Sequence, residues 1–153
     1  MNFRTFLMVF TILFGLLLSN GCGDQKLAAR KTMLAFFKAC QAKDKTAFST
    51  YFDSTKVTDA ALKKAQAAGK KSGFPMLPEA LSKMKGELSR APENLFFALP
   101  SGSWDKAAET LAVKEDDADK MRATFSNGIK SSVCILELNE KKDWVIIDFR
   151  PEK

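Results

Sequence analysis

The stretch KMRATFSNGIKSSVCILELNEKKDWVIIDF, residues 120–149, decides the fold because apolar residues recur in it at every second position. A two-residue period is typical of strands with one buried face. Its first strand alternates around Met121, Ala123 and Phe125. The Asn127-Gly128 pair that follows is the strongest hairpin signal in the chain, since Asn-Gly accepts the positive φ of a type I′ turn. We therefore expect antiparallel strands here.

Two more strands follow in the same stretch. Ser131 to Leu138 has two faces, one with Val133 and Ile135 and the other with Cys134, Leu136 and Leu138. A charged turn from Asn139 to Asp143 leads into the last strand, Trp144 to Phe149, which Pro151 stops. Upstream, the two-residue period is predicted to begin at Asn94, with short strands in Leu95–Leu99 and Glu109–Lys114.

The first half of the chain has a helical period instead. Gln25 to Lys43 predicts an amphipathic helix whose apolar stripe is Ala29, Met33, Phe36, Phe37 and Cys40. Asp44 is placed to cap a second short helix that turns Ala47, Phe48, Tyr51 and Phe52 inward. Asp53 and Ser54 then end that helix.

The region from Thr55 to Arg90 predicts a lightly packed, mobile cover. A helix opens at Thr58 or Asp59 with few large apolar residues to bury, and Gly69, Gly73 and Pro75 interrupt it. Pro78 suits the first position of a further helix, whose Leu81, Met84 and Leu88 share a face.

Helices followed by strands predict an α+β fold, in which N-terminal helices pack on a curved antiparallel sheet. Alternation in the outer strands implies that one face of the sheet is buried against helices. The 153 residues are enough for one ordinary domain. We divide the chain into a signal peptide at 1–21, a tether at 22–26 and an α+β domain at 27–150.

The leader MNFRTFLMVFTILFGLLLSNGCGD, residues 1–24, predicts export. Arg4 supplies a cationic head, and Phe6 to Leu18 is uncharged for the length of a signal-peptide core. A membrane-spanning helix needs about twenty apolar residues, so a permanent span is disfavoured.

Leu18-Ser19-Asn20-Gly21-Cys22 resembles the lipobox of bacterial lipoproteins. The resemblance implies cleavage before Cys22, a thioether link from its thiol to diacylglycerol, and an attachment to the membrane. Gly21 and Cys22 match that pattern, whereas Leu18 stands one place too early. Ser19 and Gly21 also fit ordinary signal peptidase cleavage, which would release a soluble protein. We expect a bacterial envelope location facing the periplasm or the exterior.

Composition narrows the classes of partner. The chain has 24 basic and 18 acidic side chains, and loss of Arg4 with the leader leaves a mildly cationic mature protein. No basic run with interleaved aromatic residues indicates nucleic acid. In an oxidising compartment Cys40 and Cys134 could form a disulfide, or both could be small buried hydrophobic residues that never meet.

Two phrases of the sequence resemble a known family. Met33–Phe52 and Val133–Phe149 are similar to the cystatin-like lipoproteins of unknown function within the nuclear-transport-factor-2-like superfamily. The first phrase matches at Phe36, Phe37, Ala39, Lys43, Asp44, Ala47, Tyr51 and Phe52, and the second at Trp144, Ile146, Asp148 and Phe149. The resemblance implies a curved sheet wrapped around a long helix. It does not extend to the middle of the chain, roughly residues 56–109.

Few residues suggest catalysis. The chain has no His, which removes the usual general base and the commonest metal ligand. Some enzymes of the similar superfamily use an Asp base with a Tyr or an acid as donor inside the curved sheet, but we expect Tyr51 to be a core residue and Asp148 a surface or structural acid. Alternation places Asp148 opposite Ile147 and Phe149. The acidic run Glu115–Asp119 predicts a turn more simply than a cation site.

We therefore expect no enzyme activity, no cofactor and no metal site. The favoured function is a non-catalytic envelope lipoprotein that binds a protein partner or a small apolar ligand through the open side of its sheet. One alternative is an isomerase or cyclase, which requires Tyr51 and a carboxylate in one deep pocket. Another is a structural accessory subunit of an envelope complex, which requires a broad exposed apolar patch.

Overall fold

The computed structural model describes residues 21–100, 102–117 and 119–151, and its strands form one antiparallel meander. The strands are β1 (Ala112–Asp117), β2 (Lys120–Ser126), β3 (Ser131–Leu138) and β4 (Trp144–Pro151). The helices are α1 (Gly21–Ala42), α2 (Lys45–Tyr51), α3 (Ser54–Lys71), α4 (Pro78–Arg90), α5 (Asn94–Phe97) and α6 (Gly102–Thr110). The predicted α+β class is confirmed, with helices packed on the sheet.

Helix α1 supplies the centre of the core. The predicted apolar stripe is confirmed, since all five of its side chains are 2% exposed or less: Ala29, Met33, Phe36, Phe37 and Cys40. The Arg30 guanidinium donates to the Leu111 carbonyl at 2.5 Å and so ties the outer turns of α1 to the start of β1. We call the side of the sheet that packs on α1 the core face.

Aromatic rings fill the space between α1 and the core face. Phe36 lies in the middle, with ring centroids 5.3 Å from Phe96 and 5.4 Å from Phe48. Phe37 contacts Phe125 of β2 at 4.8 Å. Other rings of this aromatic core are Phe52, Phe97, Trp104 and Phe149. Edge-to-face and offset contacts of this kind stabilise beyond the burial of area alone.

Aspartate caps divide the first helices. The Asp44 carboxylate accepts from the Ala47 N–H at 3.0 Å, as predicted for the start of α2. Asp53 does the same for α3, accepting from the Lys56 N–H at 2.9 Å. Helix α3 therefore begins at Ser54, four residues before the predicted start at Thr58. The residues that end α2 are also the ones that begin α3.

Helix α3 lies along β4, which is an edge strand. Phe52 bridges Ile146 in parallel, and the Asp53 N–H donates to the Ile146 carbonyl at 2.9 Å. Two ion pairs, Lys56–Glu137 and Lys64–Asp148, hold the rest of the helix against β3 and β4. The helix thus covers an edge that could otherwise pair with another chain.

Helix α4 packs on α3 more lightly. Pro78 occupies its first turn, as predicted, but none of its residues is buried. Leu81, Met84 and Leu88 are half-buried and form its inward face. The mobility predicted for Thr55–Arg90 stays a prediction.

The predicted strand at Leu95–Leu99 is wrong. Asn94–Phe97 is a short helix, and Gly102–Thr110 is another helix, so the two-residue period begins only at Ala112. Phe96 enters the aromatic core at 1% exposure, while Leu95 stays 61% exposed. The apolar run is too short to distinguish a helical period from the two-residue period of a strand. A helix that buries one ring per turn therefore fits this segment as well as a strand would.

The β2–β3 hairpin is confirmed, but the type I′ turn is wrong. Ser126 pairs with Ser131, which leaves a four-residue loop, and only Gly128 has a positive φ, of +83°. A type I′ turn needs positive φ at both central residues. The Asn127 side chain instead accepts from the N–H groups of Ile129 and Lys130 at 3.0 and 2.9 Å.

The N-terminal end of the described chain is helical. The tether predicted at 22–26 belongs to α1, which begins at Gly21 rather than Gln25. The predicted signal peptide lies outside the described residues up to residue 20. Within the described ranges, no helix is long and apolar enough to cross a membrane.

Candidate functional site: a cationic groove on the outer face of the sheet

A solvent-open groove of about 470 Å³ lies between α3 and the face of the sheet opposite α1, which we call the outer face. Its apolar floor is formed by Ile135 of β3, Ile147 of β4 and Ala60 of α3. Ile135 is 7% exposed, although its face of the sheet points away from the aromatic core. The volume falls within the usual range for small-molecule sites, about 300–1,000 Å³.

A β-bulge in β4 builds this groove. Leu136 pairs with Ile146 but Ile135 pairs with Asp148, so Ile147 is the extra residue. Strict alternation from Trp144 and Ile146 would send Asp148 into the aromatic core. The bulge turns Asp148 to the outer face and Phe149 to the core face, where its ring lies 4.9 Å from Phe96. The predicted placement of Ile147 opposite Asp148 is therefore wrong, because both residues line the groove.

Three ion pairs lie around the groove, and each neutralises the charge of one carboxylate. The Lys56 ammonium lies 2.9 Å from the Glu137 carboxylate, and this hydrogen bond raises the pKa of Lys56. Lys64 pairs with Asp148, which is 13% exposed. The Arg122 guanidinium of β2 donates to Asp116 at 2.7 Å. These pairs fix α3 and the end of β1 on either side of the groove.

Three basic side chains of the groove lie outside these ion pairs. Lys63, Lys120 and Arg150 line it, and none of them forms an ion pair with a carboxylate of the described residues. Asp59 is the one groove carboxylate outside the described ion pairs. The groove therefore combines an apolar floor with a surplus of positive charge, a combination that attracts anions.

Asp148 connects the groove to the buried thiols. Burial raises the pKa of Cys134, and the negative charge of Asp148 and interaction with Cys40 raise it further. Burial also raises the pKa of Cys40. Both thiols are free and buried, and their electrostatic interaction places them near one another. The disulfide between Cys40 and Cys134 stays a prediction.

The other predicted site residues are not brought together. Tyr51 is half-buried against the core and does not line the groove that contains Asp148. Glu115, Asp116 and Asp117 belong to β1, so the predicted turn is wrong for these three residues, whereas Asp119 lies in the turn before β2. Among the residues that the structure describes, no group of three possible ligands could hold a metal ion.

A second, much smaller cavity lies beneath α3 and α4. Its volume is about 70 Å³, and its lining is almost wholly apolar, including Val57, Leu88, Phe96 and Phe149. Such a space is far below the size of a typical small-molecule pocket, about 300–1,000 Å³. The outer-face groove is therefore the stronger candidate.

Sequence reasoning missed Lys63, Lys120 and Arg150 because they are scattered over three elements. From the sequence, their charge indicates only solvated surface residues, and their spacing along the chain does not indicate a shared site. Comparisons of the chain with protein-family models, with curated proteins and with solved structures found no match. The resemblance to the cystatin-like lipoproteins stays a prediction.

Proposed function

We propose that this protein is a non-catalytic lipoprotein of the bacterial cell envelope that binds a small anionic ligand with an apolar body. The observation that carries the proposal is the outer-face groove, where Ile135 and Ile147 lie beside cations that form no ion pair with a carboxylate of the described residues. An apolar segment of the ligand covers the floor. Its anionic group lies among Lys63, Lys120 and Arg150.

The open shape of the groove also supports binding without catalysis. Enzymes gain rate from preorganised groups in a site that excludes water. The outer-face groove is open to solvent instead. No arrangement of the described residues favours an isomerase or cyclase, which would need Tyr51 close to a carboxylate.

The start of α1 supports the lipid anchor. Cys22 lies in its first turn, and residues 23–28 are exposed before Ala29 becomes the first buried residue. Seven helical residues span about 10 Å, so a diacylglycerol on Cys22 would keep the membrane surface clear of the core. The proposed location is the membrane surface on the periplasmic or exterior side. Mass spectrometry of the mature N-terminus tests it, and an unmodified Cys22 would contradict the anchor.

A binding experiment tests the groove. The probe is hexanoate, compared with neutral hexanol, and the full chain is held in phosphatidylcholine nanodiscs with empty nanodiscs subtracted. Saturation-transfer NMR should detect hexanoate and not hexanol. Removing two cations in a Lys120→Ala/Arg150→Ala variant should weaken binding about tenfold, since each charge beside this solvent-open groove contributes about 0.7 kcal/mol.

The matched control is Lys130→Ala/Lys141→Ala, which removes two exposed lysines from the hairpin turns and leaves the groove intact. Binding by this variant should equal that of the wild type. Equal hexanoate signals from both double variants would show that the groove does not bind the anion. Unchanged emission from the buried Trp104 and Trp144 verifies that each variant is folded.

A further inference from the structure

The loop between α3 and α4, residues 72–77, presents the most exposed large apolar side chains of the described chain. Phe74 is 81% exposed and Leu77 is 70% exposed. Pro75 lies between them and is also exposed. We call residues 72–77 the Phe74 loop. Exposed apolar residues that cluster in this way mark interaction sites more often than isolated ones do.

The Phe74 loop is held in place by its own backbone. The Phe74 N–H donates to the Gly69 carbonyl at 3.0 Å, and the Ser72 hydroxyl donates to the same oxygen at 3.0 Å. Gly73 adopts a φ of +78°, the left-handed conformation that ends helices. The outward direction of Phe74 therefore follows from a defined helix cap.

Gly69 lets the loop fold back over the end of α3. A Cβ at this position would lie 2.9 Å from the Phe74 carbonyl oxygen and 3.1 Å from the Met76 nitrogen. Those contacts are with backbone atoms, which have little room to move. The sequence therefore keeps glycine where the loop crosses the helix, and the crossing turns the Phe74 ring toward solvent.

Positive charge lies beside the apolar tip. Lys70 and Lys71 form the last turn of α3, both are exposed, and neither forms an ion pair with any carboxylate that the structure describes. Glu79 in the first turn of α4 is the nearest acidic residue in sequence. An aromatic ring and an aliphatic side chain flanked by lysines match the chemistry of an anionic lipid surface.

We propose that the Phe74 loop inserts into the interface of an anionic phospholipid membrane, with Phe74 and Leu77 among the upper acyl carbons and Lys70 and Lys71 at the phosphates. The loop forms the tip of a helical hairpin, so it is convex. A stable protein interface needs roughly 800 Å² from each partner, about two to three times the area that two such side chains supply. Insertion into lipid requires no complementary surface.

This inference goes beyond the proposed function and does not depend on it. A lipid on Cys22 would hold the domain near a membrane without determining its orientation. The Phe74 loop would add a second point of contact and so select one orientation of the domain on the surface. The groove could be empty and the loop would still insert.

A tryptophan placed in the loop tests the inference. The full chain carrying Phe74→Trp is reconstituted with vesicles of phosphatidylethanolamine and phosphatidylglycerol whose acyl chains are brominated. Bromine quenches only nearby indoles, so the buried Trp104 and Trp144 of the wild type supply the baseline. We expect the emission of the new tryptophan to fall at least twofold.

Ile129→Trp is the matched control, because Ile129 is 68% exposed on the β2–β3 hairpin and lies outside the loop. Its emission should change little in the same vesicles. Reversing two charges with Lys70→Glu/Lys71→Glu in the Phe74→Trp chain should return quenching to the level of this control. Mass spectrometry on the same sample reads Cys22 separately.

The opposite result is equally clear. If Phe74→Trp is quenched no more than Ile129→Trp, the loop does not enter lipid, and the proposal is wrong whether the tip binds a protein or stays in water. Quenching that is unaffected by the Lys70→Glu/Lys71→Glu change would overturn the role of the lysines. Since Phe74 is mostly exposed, its substitution leaves the core intact.

Discussion

Replacing Phe36 with Ala should remove a large fraction of the stability of this domain. Phe36 is fully buried, and among the described residues its ring has five aromatic neighbours whose centroids lie between 5.3 and 6.4 Å away. The neighbours come from α1, α2, α5 and α6 and from Phe52. No single neighbour can fill the space, since each ring is fixed by a different element.

The expected loss follows from the size of the cavity. A buried Phe→Ala substitution costs about 3–5 kcal/mol, and a site with many rigid neighbours belongs in the upper part of that range. Domains of this size are stable by about 5–15 kcal/mol in total. With a urea m-value of about 2 kcal/mol/M, a loss of about 4 kcal/mol lowers the unfolding midpoint by about 2 M.

Urea unfolding followed by the emission of Trp104 and Trp144 measures the loss, because both side chains are buried. Phe74→Ala is the matched control, since it makes the same substitution at an 81% exposed position. Its free energy of unfolding should change by less than about 0.5 kcal/mol. A Phe36→Ala midpoint within about 0.3 M of the wild type would refute the account of the core.

Three other predictions concern a cap, the thiols and the cover. Asp53→Ala should lower the free energy of unfolding by about 1 kcal/mol, because the Lys56 N–H loses its acceptor. Asp53→Asn should retain most of that stability. Equal losses for the two variants in urea unfolding would contradict the cap. Burial raises the pKa of Cys40 and Cys134 above 9.0, the pKa of a thiol in the unfolded chain. The free energy of unfolding of the reduced protein should therefore stay constant below pH 9.0 and fall as the pH rises above it, because the thiols then ionise only in the unfolded chain. A Cys40→Ala/Cys134→Ala variant with the same loss in alkaline urea would show that the thiols are not responsible. Hydrogen exchange should be faster in α4, which has no buried residue, than in α1, and equal protection would count against a mobile cover.

The elements that the sequence predicted well are those whose burial pattern is long and regular. The stripe on α1 repeats through three turns, and the alternation of β2 runs for seven residues. Asp44 could be recognised as a cap because the donor it satisfies lies three residues away. All of these signals are local, so they can be read without knowing what packs against them.

The failures occur where distant contacts decide the conformation. The run from Asn94 to Phe97 became helical because Phe96 reaches the rings of Phe36 and Phe48 from α1 and α2. Helix α3 begins early because Asp53, which the sequence predicts as the end of α2, also caps the start of α3. Short segments carry too few residues for their period to outweigh such contacts.

The amino-acid sequence by itself determined the α+β class, the amphipathic face of α1 and the antiparallel strands, because hydrophobic periodicity is a local property of the chain. Only the tertiary structure decided the candidate site. Lys63, Lys120 and Arg150 come from α3, β2 and β4, and they meet because α3 folds along the edge of the sheet. The bulge at Ile147 keeps the Asp148 carboxylate out of the aromatic core. Burying an unpaired charge among those rings would cost far more free energy than leaving one strand residue unpaired.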